Sequence, residues 1–139
     1  MDINNITLRA IVQATESEDR VCTALSLFLF DSEIERIRTE GHFGNPITIL
    51  QARITGKKCS QFIELLKSKL PESDLEKLKN ERCERIDEDC CFHIRFHKQA
   101  AYNGKVQLAT TTDTIAAEIK IKVYPAKREK ALAVSETIF

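Results

Sequence analysis

No apolar run in this 139-residue chain approaches the roughly 20 residues that a membrane-spanning helix needs. Net charge is absent too: 21 Lys/Arg balance 21 Asp/Glu, so no global basic field announces nucleic acid. Glycine is scarce, four in all, and Gly41 and Gly44 lack the context of a phosphate-cradling loop. There is no C-x-x-C pair, and the cysteines number five, an odd count. With an opening Met1 to Asn5 that lacks a signal-peptide pattern, this predicts a reducing, cytoplasmic setting. No repeat, linker or low-complexity tract divides the sequence, which predicts one α+β domain over residues 1–139.

What is present is unevenly placed. Residues 91–139 hold eight Lys/Arg against four Asp/Glu, and the acidic excess gathers between Glu72 and Asp89. Such local basicity points to an anionic partner met by the last third of the chain.

Alternation carries the strand signal. Ile6, Leu8, Ala10, Val12 and Ala14 alternate with Thr7, Arg9, Ile11 and Gln13, predicting a first strand with one buried face. Thr15 and Glu18 form a capping-box pattern, and Val21, Leu25, Phe28 and Leu29 follow at helical spacing to an end near Asp31. Ser32 to Thr39 reads as either a turn of helix or a loop. Gly41 to Pro46 reads as a turn, and Thr48, Leu50, Ala52 and Ile54 as a second strand. A helix is predicted from Gly56 to Leu70 with Pro71 as its stop. Ser73 and Glu76 then mark a second capping box before a thinner apolar stripe of Leu75, Leu78 and Ile86.

Cys91 to Lys98 is predicted as the third strand, burying Phe92, Ile94 and Phe96 and presenting His93, Arg95 and His97. Asn103-Gly104 is a strong hairpin signal, with Val106 and Leu108 on a return strand. Ile115, Ala117, Ile119, Ile121 and Val123 alternate against Glu118, Lys120, Lys122 and Tyr124 in a final strand. Pro125 suits the first position of a last helix that packs through Ala131, Val134 and Ile138. The order predicts an α+β fold: one antiparallel or mixed sheet of roughly four to five strands with helices on one face.

Chemistry is hard to find. His93 and His97 stand about 13 Å apart on a strand, too far to share one metal ion, and His42 has no link to either. Cys91 beside His93 is the nearest approach to a nucleophile and base, but Asp87, Glu88 and Asp89 oppose a thiolate there. Cys22, Cys59 and Cys83 sit in helix-like segments and are expected to pack as small apolar groups. The carboxylates of Glu72 to Asp89 read as a solvated helical face. No catalytic residue, metal ligand or cofactor is predicted.

Cations on the polar sheet face are a better candidate. Arg9, Arg95, Lys120 and Lys122 would share the face away from the helices, where they either neutralise phosphates or only keep the face soluble. Aromatic side chains for stacking bases are missing there, apart from Tyr124 and Tyr102. Lys127 and Arg128 are a second candidate. In a first helical turn the macrodipole opposes them, and a bound phosphate would resolve that conflict.

Four segments also resemble a known family. They are Lys98-Gln99-Ala100-Ala101-Tyr102 with Gly104, Tyr124-Pro125-Ala126-Lys127-Arg128-Glu129-Lys130-Ala131, Glu40-Gly41-His42-Phe43-Gly44-Asn45-Pro46-Ile47, and Val12-Gln13-Ala14-Thr15-Glu16. Taken in chain order and spread over nearly the whole sequence, they resemble an archaeal family described as a predicted exosome subunit, or as RNA-binding with double-stranded-RNA-binding character. His97 departs from the acidic residue that the family tends to place there. The resemblance implies a ribosomal-protein-like fold, similar to the large-subunit protein that docks 5S rRNA. It also implies RNA binding without catalysis, alongside RNA-processing proteins. The expected function is therefore a non-catalytic protein that grips structured or double-stranded RNA through phosphates. Lys98, Lys105, Lys127, Arg128 and Lys130 are the first choice of contacts, Arg95, Lys120 and Lys122 the second, and Tyr102 a stacking residue. The alternative is a protein-interaction module or homodimer, with an edge strand near the hairpin pairing to a second copy.

Overall fold

The computed structural model describes residues 2–41 and 44–139. Its strands are β1 (Ile3–Val12), β2 (Glu35–Glu40), β3 (Pro46–Ile54), β4 (Cys91–His97) and β5 (Thr114–Ile121). They form one antiparallel sheet in the order β2-β3-β1-β5-β4. The helices are α1 (Glu18–Ser26), α2 (Lys57–Lys69), α3 (Glu72–Asn80), α4 (Arg82–Arg85), α5 (Lys98–Tyr102) and α6 (Arg128–Ile138). The α+β expectation, a single sheet covered by helices on one face, is borne out.

Register explains the burial. Ile6, Leu8 and Ala10 of β1 lie opposite Ile54, Ala52 and Leu50 of β3 and Ile119, Ala117 and Ile115 of β5, and all are buried. Cross-strand partners share a face, so one side of the sheet is continuously apolar. Phe96 of β4 stacks on Phe28 at 4.6 Å and meets Phe62 of α2 edge-on at 6.2 Å. Burying each of these rings is worth roughly 1.5–3 kcal/mol and fixes the helical layer to the sheet.

Several local expectations are corrected. Asn103-Gly104 does not turn a hairpin; it ends α5. Gly104 has φ +78°, and the N–H groups of Gly104 and Lys105 donate to Ala101 and Ala100 at 3.0 and 2.9 Å. A glycine C-cap and a two-residue hairpin both demand positive φ, so the dipeptide fits either. The return strand shrinks to a single Phe96–Leu108 bridge.

Helix starts move as well. Ser17, not Thr15, caps α1, accepting the Arg20 N–H at 3.4 Å, and the helix stops at Ser26 rather than near Asp31. Glu18 reaches Arg36 and Arg38 of β2 instead of closing a capping box. At α3 the cap position is Pro71, and no side chain caps it. The last helix begins at Arg128, three positions beyond Pro125, because Pro125 sits in a turn closed by the Lys127 N–H. Ser32 to Thr39, read as helix turn or loop, ends in β2, whose residues are all exposed and therefore carry no alternation. His42 and Phe43 of the predicted turn lie outside the described residues; beside them the Gly41 N–H donates to the Asn45 carbonyl at 2.7 Å. Cys59 is buried and Cys22 half-buried, but Cys83 is exposed rather than packed.

The sheet's two edges differ. Along β4, four outward-facing groups are occupied: Cys91 O by Asp87 N–H, His93 O by Arg85, Arg95 O by Ala109 N–H, and His97 N–H by Gln107 O. The edge beside the Asn103-Gly104 turn is therefore largely covered, and among the described residues the more open edge is β2.

Candidate nucleic-acid interface

Among the described residues nothing covers the face away from the helices. In register across it run Glu35, Gln51, Arg9, Ala116 and Arg95, one from each strand. Above this row lie Ile37, Ile49 and Ile11; below it lie Arg53, Thr7, Glu118 and His93, then Asn5, Lys120 and Cys91. Arg9, Arg53, Arg95 and Lys120 thus meet Glu35 and Glu118 on a face of net positive sign. Alternation placed Arg9, Arg95 and Lys120 together, as expected.

Toward the end of the face where β1 and β4 finish and β5 begins lies a groove of about 290 Å³ whose walls include Arg9, Ile11, Gln13, Arg95, Asp113 and Ala116. Ala116 lies between the two arginines, and its small side chain opens the space between them. Gln51 accepts two hydrogen bonds from the Arg9 guanidinium, at 2.8 and 3.3 Å, and sets its direction. Arg95 is exposed and makes no ion pair among the described residues. Two guanidiniums without ion pairs among the described residues, the one on Arg9 oriented by Gln51, flank a shallow groove and suit oxyanions, which they bind in a planar, bidentate fashion.

The residues expected from the final third divide between two ends of the sheet. Lys98, Tyr102 and Lys105 lie beyond the His97 end of β4, and Lys122, Lys127 and Lys130 beyond the Ile121 end of β5. The length of β4 separates the two groups by about 20 Å. They do not form one site.

Three of those residues are already committed. Lys98 is 6 % exposed, and its ammonium donates to Ile11 O at 2.8 Å, Asp113 at 2.6 Å and both Glu16 oxygens at 3.2 Å. An ammonium has three N–H donors, so none is left for a phosphate. Arg128 spans from the start of α6 to α4, donating to the carbonyls of Ile86 and Cys83. Those carbonyls answer the helix-start conflict expected at Arg128, whereas Lys127 stays exposed. The ring of Tyr102 has the Arg20 guanidinium 5.6 Å from its centroid. Lys120 donates to the Asp89 carbonyl, while Lys105, Lys122, Lys127 and Lys130 are exposed.

His93 and Cys91 carry a different arrangement. His93 Nε2 lies 2.6 Å from Asp87 Oδ2, and its Nδ1 lies 3.7 Å from Glu118. Burial raises the Cys91 thiol, and Asp87, Glu118 and Asp89 add to that against the opposing Lys120 charge, so the thiol stays protonated. His97 serves structure: its Nδ1 accepts the Ala100 N–H at 3.0 Å and caps α5. Among the described residues no three His, Cys, Asp or Glu side chains converge on a metal position.

Burial works to raise the Asp87 carboxyl, but the His93 hydrogen bond, the Cys91 and Asp89 N–H groups and the His93 charge hold it below the usual range. A depressed carboxyl contributes stability that is complete above its unfolded value, near pH 4, and is lost as pH falls through the folded value. His93→Gln should therefore shift the acid-unfolding midpoint upward, read by circular dichroism between about pH 5 and 2. An unmoved midpoint would show that the two backbone N–H groups alone hold the carboxylate.

With the geometry described, comparison is informative. A family model described as RNA binding matches residues 5–121. The chain belongs to that family. Its relatives include the RNA-binding protein PAB1135 of Pyrococcus abyssi, 38% identical over 93% of this chain and 88% of that one. The protein MJ0213 of Methanocaldococcus jannaschii is 34% identical over 92% and 91%. In three dimensions the chain matches protein AF2318 of Archaeglobus fulgidus with a TM-score of 0.88 at 34% identity, covering 99% of both chains. The matched span takes in β2 to β5 and β1 from Asn5 onward, while α6 and the loop before it lie beyond the match. Sequence reasoning left out Arg53 and Gln51, which alternation alone would have put on the face. Tyr124, 95 % exposed, it noted but did not select.

Proposed function

We propose that this chain binds structured RNA across the open face of its sheet, with phosphates held between Arg9 and Arg95 and by Lys120 and Lys122 at one end. The observation that carries the reading is the pair of guanidiniums flanking Ala116 on a bare, net-positive sheet face of an RNA-binding family member. A broad, nearly flat surface suits the wide, shallow minor groove and the backbone of an A-form duplex. The reading is of binding without chemistry of its own: the Cys91 thiol is held protonated, and His93 is engaged by two carboxylates.

Filter binding of duplex RNA tests it. The logarithm of the affinity should fall linearly with the logarithm of salt concentration, and Arg9→Ala/Arg95→Ala should flatten the slope by about two phosphates' worth and weaken binding about tenfold. An unchanged slope in the double variant would move the interface elsewhere.

One observation favours a second reading. Every residue of β2 is exposed, its outer edge is open, and Ile37 continues into Ile49 and Ile11 as an apolar strip. A protein strand or a second copy added at β2 would cover that edge. Light scattering without RNA separates the readings: a monomer that binds RNA supports the first, a dimer that ignores RNA the second.

A further inference from the structure

Among the described residues one aromatic side chain is placed unlike the rest. Phe28, Phe62, Phe92 and Phe96 are fully buried, Phe30 and Phe139 pack against the core, and Tyr102 lies beneath Arg20. Tyr124 stands 95 % exposed in the segment that joins β5 to α6. The backbone beneath it is fastened on both sides. The Lys122 N–H donates to Asp2 O at 2.8 Å and Val123 packs against the core before it, and Arg128 donates to the Ile86 and Cys83 carbonyls after it. A ring on a pinned stalk loses little freedom when something covers it, which favours a ligand that presents a flat face.

The surroundings choose that ligand. Lys122, Lys127 and Lys130 are exposed within six positions of Tyr124, and between residues 122 and 130 the sole acid is Glu129. The Lys130 ammonium lies 3.5 Å from the Tyr124 carbonyl, so this cation is near the stalk itself. An open π-face on a segment that also carries flexible cations matches a nucleobase with its own phosphates. Lys122 also extends β5 directly, so the loop continues the sheet's basic face at its Ile121 end.

We infer that Tyr124 is a stacking site for an unpaired nucleotide, with Lys122, Lys127 and Lys130 holding the adjoining phosphates. The inference rests on the RNA-binding reading above and adds the substrate class: structured RNA that carries a single-stranded end or extrusion, not a blunt duplex alone. Duplex would lie on the sheet, and the unpaired base would be met where the sheet ends.

The chain has no tryptophan and two tyrosines, so a Tyr102→Phe protein reports Tyr124 alone by its emission. The probes are a blunt RNA duplex and the same duplex bearing a short uridine overhang. The overhang should quench Tyr124 emission and bind about tenfold more tightly than the blunt form. Tyr124→Ala should abolish the difference while keeping blunt-duplex affinity, and Tyr124→Phe should preserve it. Equal affinity for the two RNAs, or a Tyr124→Ala loss shared equally by both, overturns the stacking site while leaving duplex binding standing. Failure to bind either RNA overturns both readings together.

Discussion

Lys98→Met is expected to lower stability by about 2–3 kcal/mol while leaving RNA affinity at room temperature unchanged. The ammonium of Lys98 joins three separate stretches of chain: the end of β1 through Ile11, the turn before α1 through Glu16, and the approach to β5 through Asp113. Removing one partner from a buried ion pair costs about 3–5 kcal/mol, because the charges left behind keep no counter-ion. Here the Asp113 side chain is 61 % exposed, so water screens part of that loss and the lower figure applies. In a chain of this length the change should lower the melting temperature by roughly 10 °C. Thermal and urea unfolding read the first half of the prediction, and filter binding well below the melt reads the second. A variant that melts like the parent but binds RNA weakly would return Lys98 to the interface.

The same residue shows what the sequence hides. Lys98 looks like a surface cation because it is charged and precedes a turn, although the alternation of Phe92, Ile94 and Phe96 points its position inward. Its acceptors lie 82 and 15 positions away, and only the antiparallel order of β1, β5 and β4 brings them to one point. Periodicity, by contrast, is local, and wherever one face is buried it is legible. Hence β1, β4 and β5, their buried faces, and the shared side of Arg9, Arg95 and Lys120 follow from alternation alone. The strand β2 does not, since every residue of Glu35 to Glu40 is exposed and its pairing with β3 is the sole sign of it. Asn103-Gly104 failed for another reason: positive φ at a glycine satisfies two different motifs, and the burial of Ala100 and Ala101 decides for the helix. The groove itself needed strand order, because Ala116 separates Arg9 from Arg95 only once β5 is known to run between β1 and β4.

Arg128 sharpens this point into a prediction, since the residue beside it on the chain behaves differently. At the start of α6 its guanidinium reaches the carbonyls of Cys83 inside α4 and of Ile86 just past its end, while Arg82 at the start of α4 donates to Phe139 O at 2.9 Å. The two arginines therefore lace α4 and α6 together in opposite directions. Charged hydrogen bonds of this kind contribute about 1.5–3 kcal/mol when partly shielded, so Arg128→Ala should cost about 2 kcal/mol of stability and leave the salt slope of RNA binding as it was. Lys127→Ala/Lys130→Ala should do the opposite, flattening the slope with no shift in the melt, because both side chains are exposed. A single alanine block across Lys127, Arg128 and Lys130 would mix the two effects. Measured separately, an Arg128→Ala protein of parental stability would free that guanidinium for the ligand, and a Lys127→Ala/Lys130→Ala protein of unchanged slope would take the basic start of α6 out of the RNA interface.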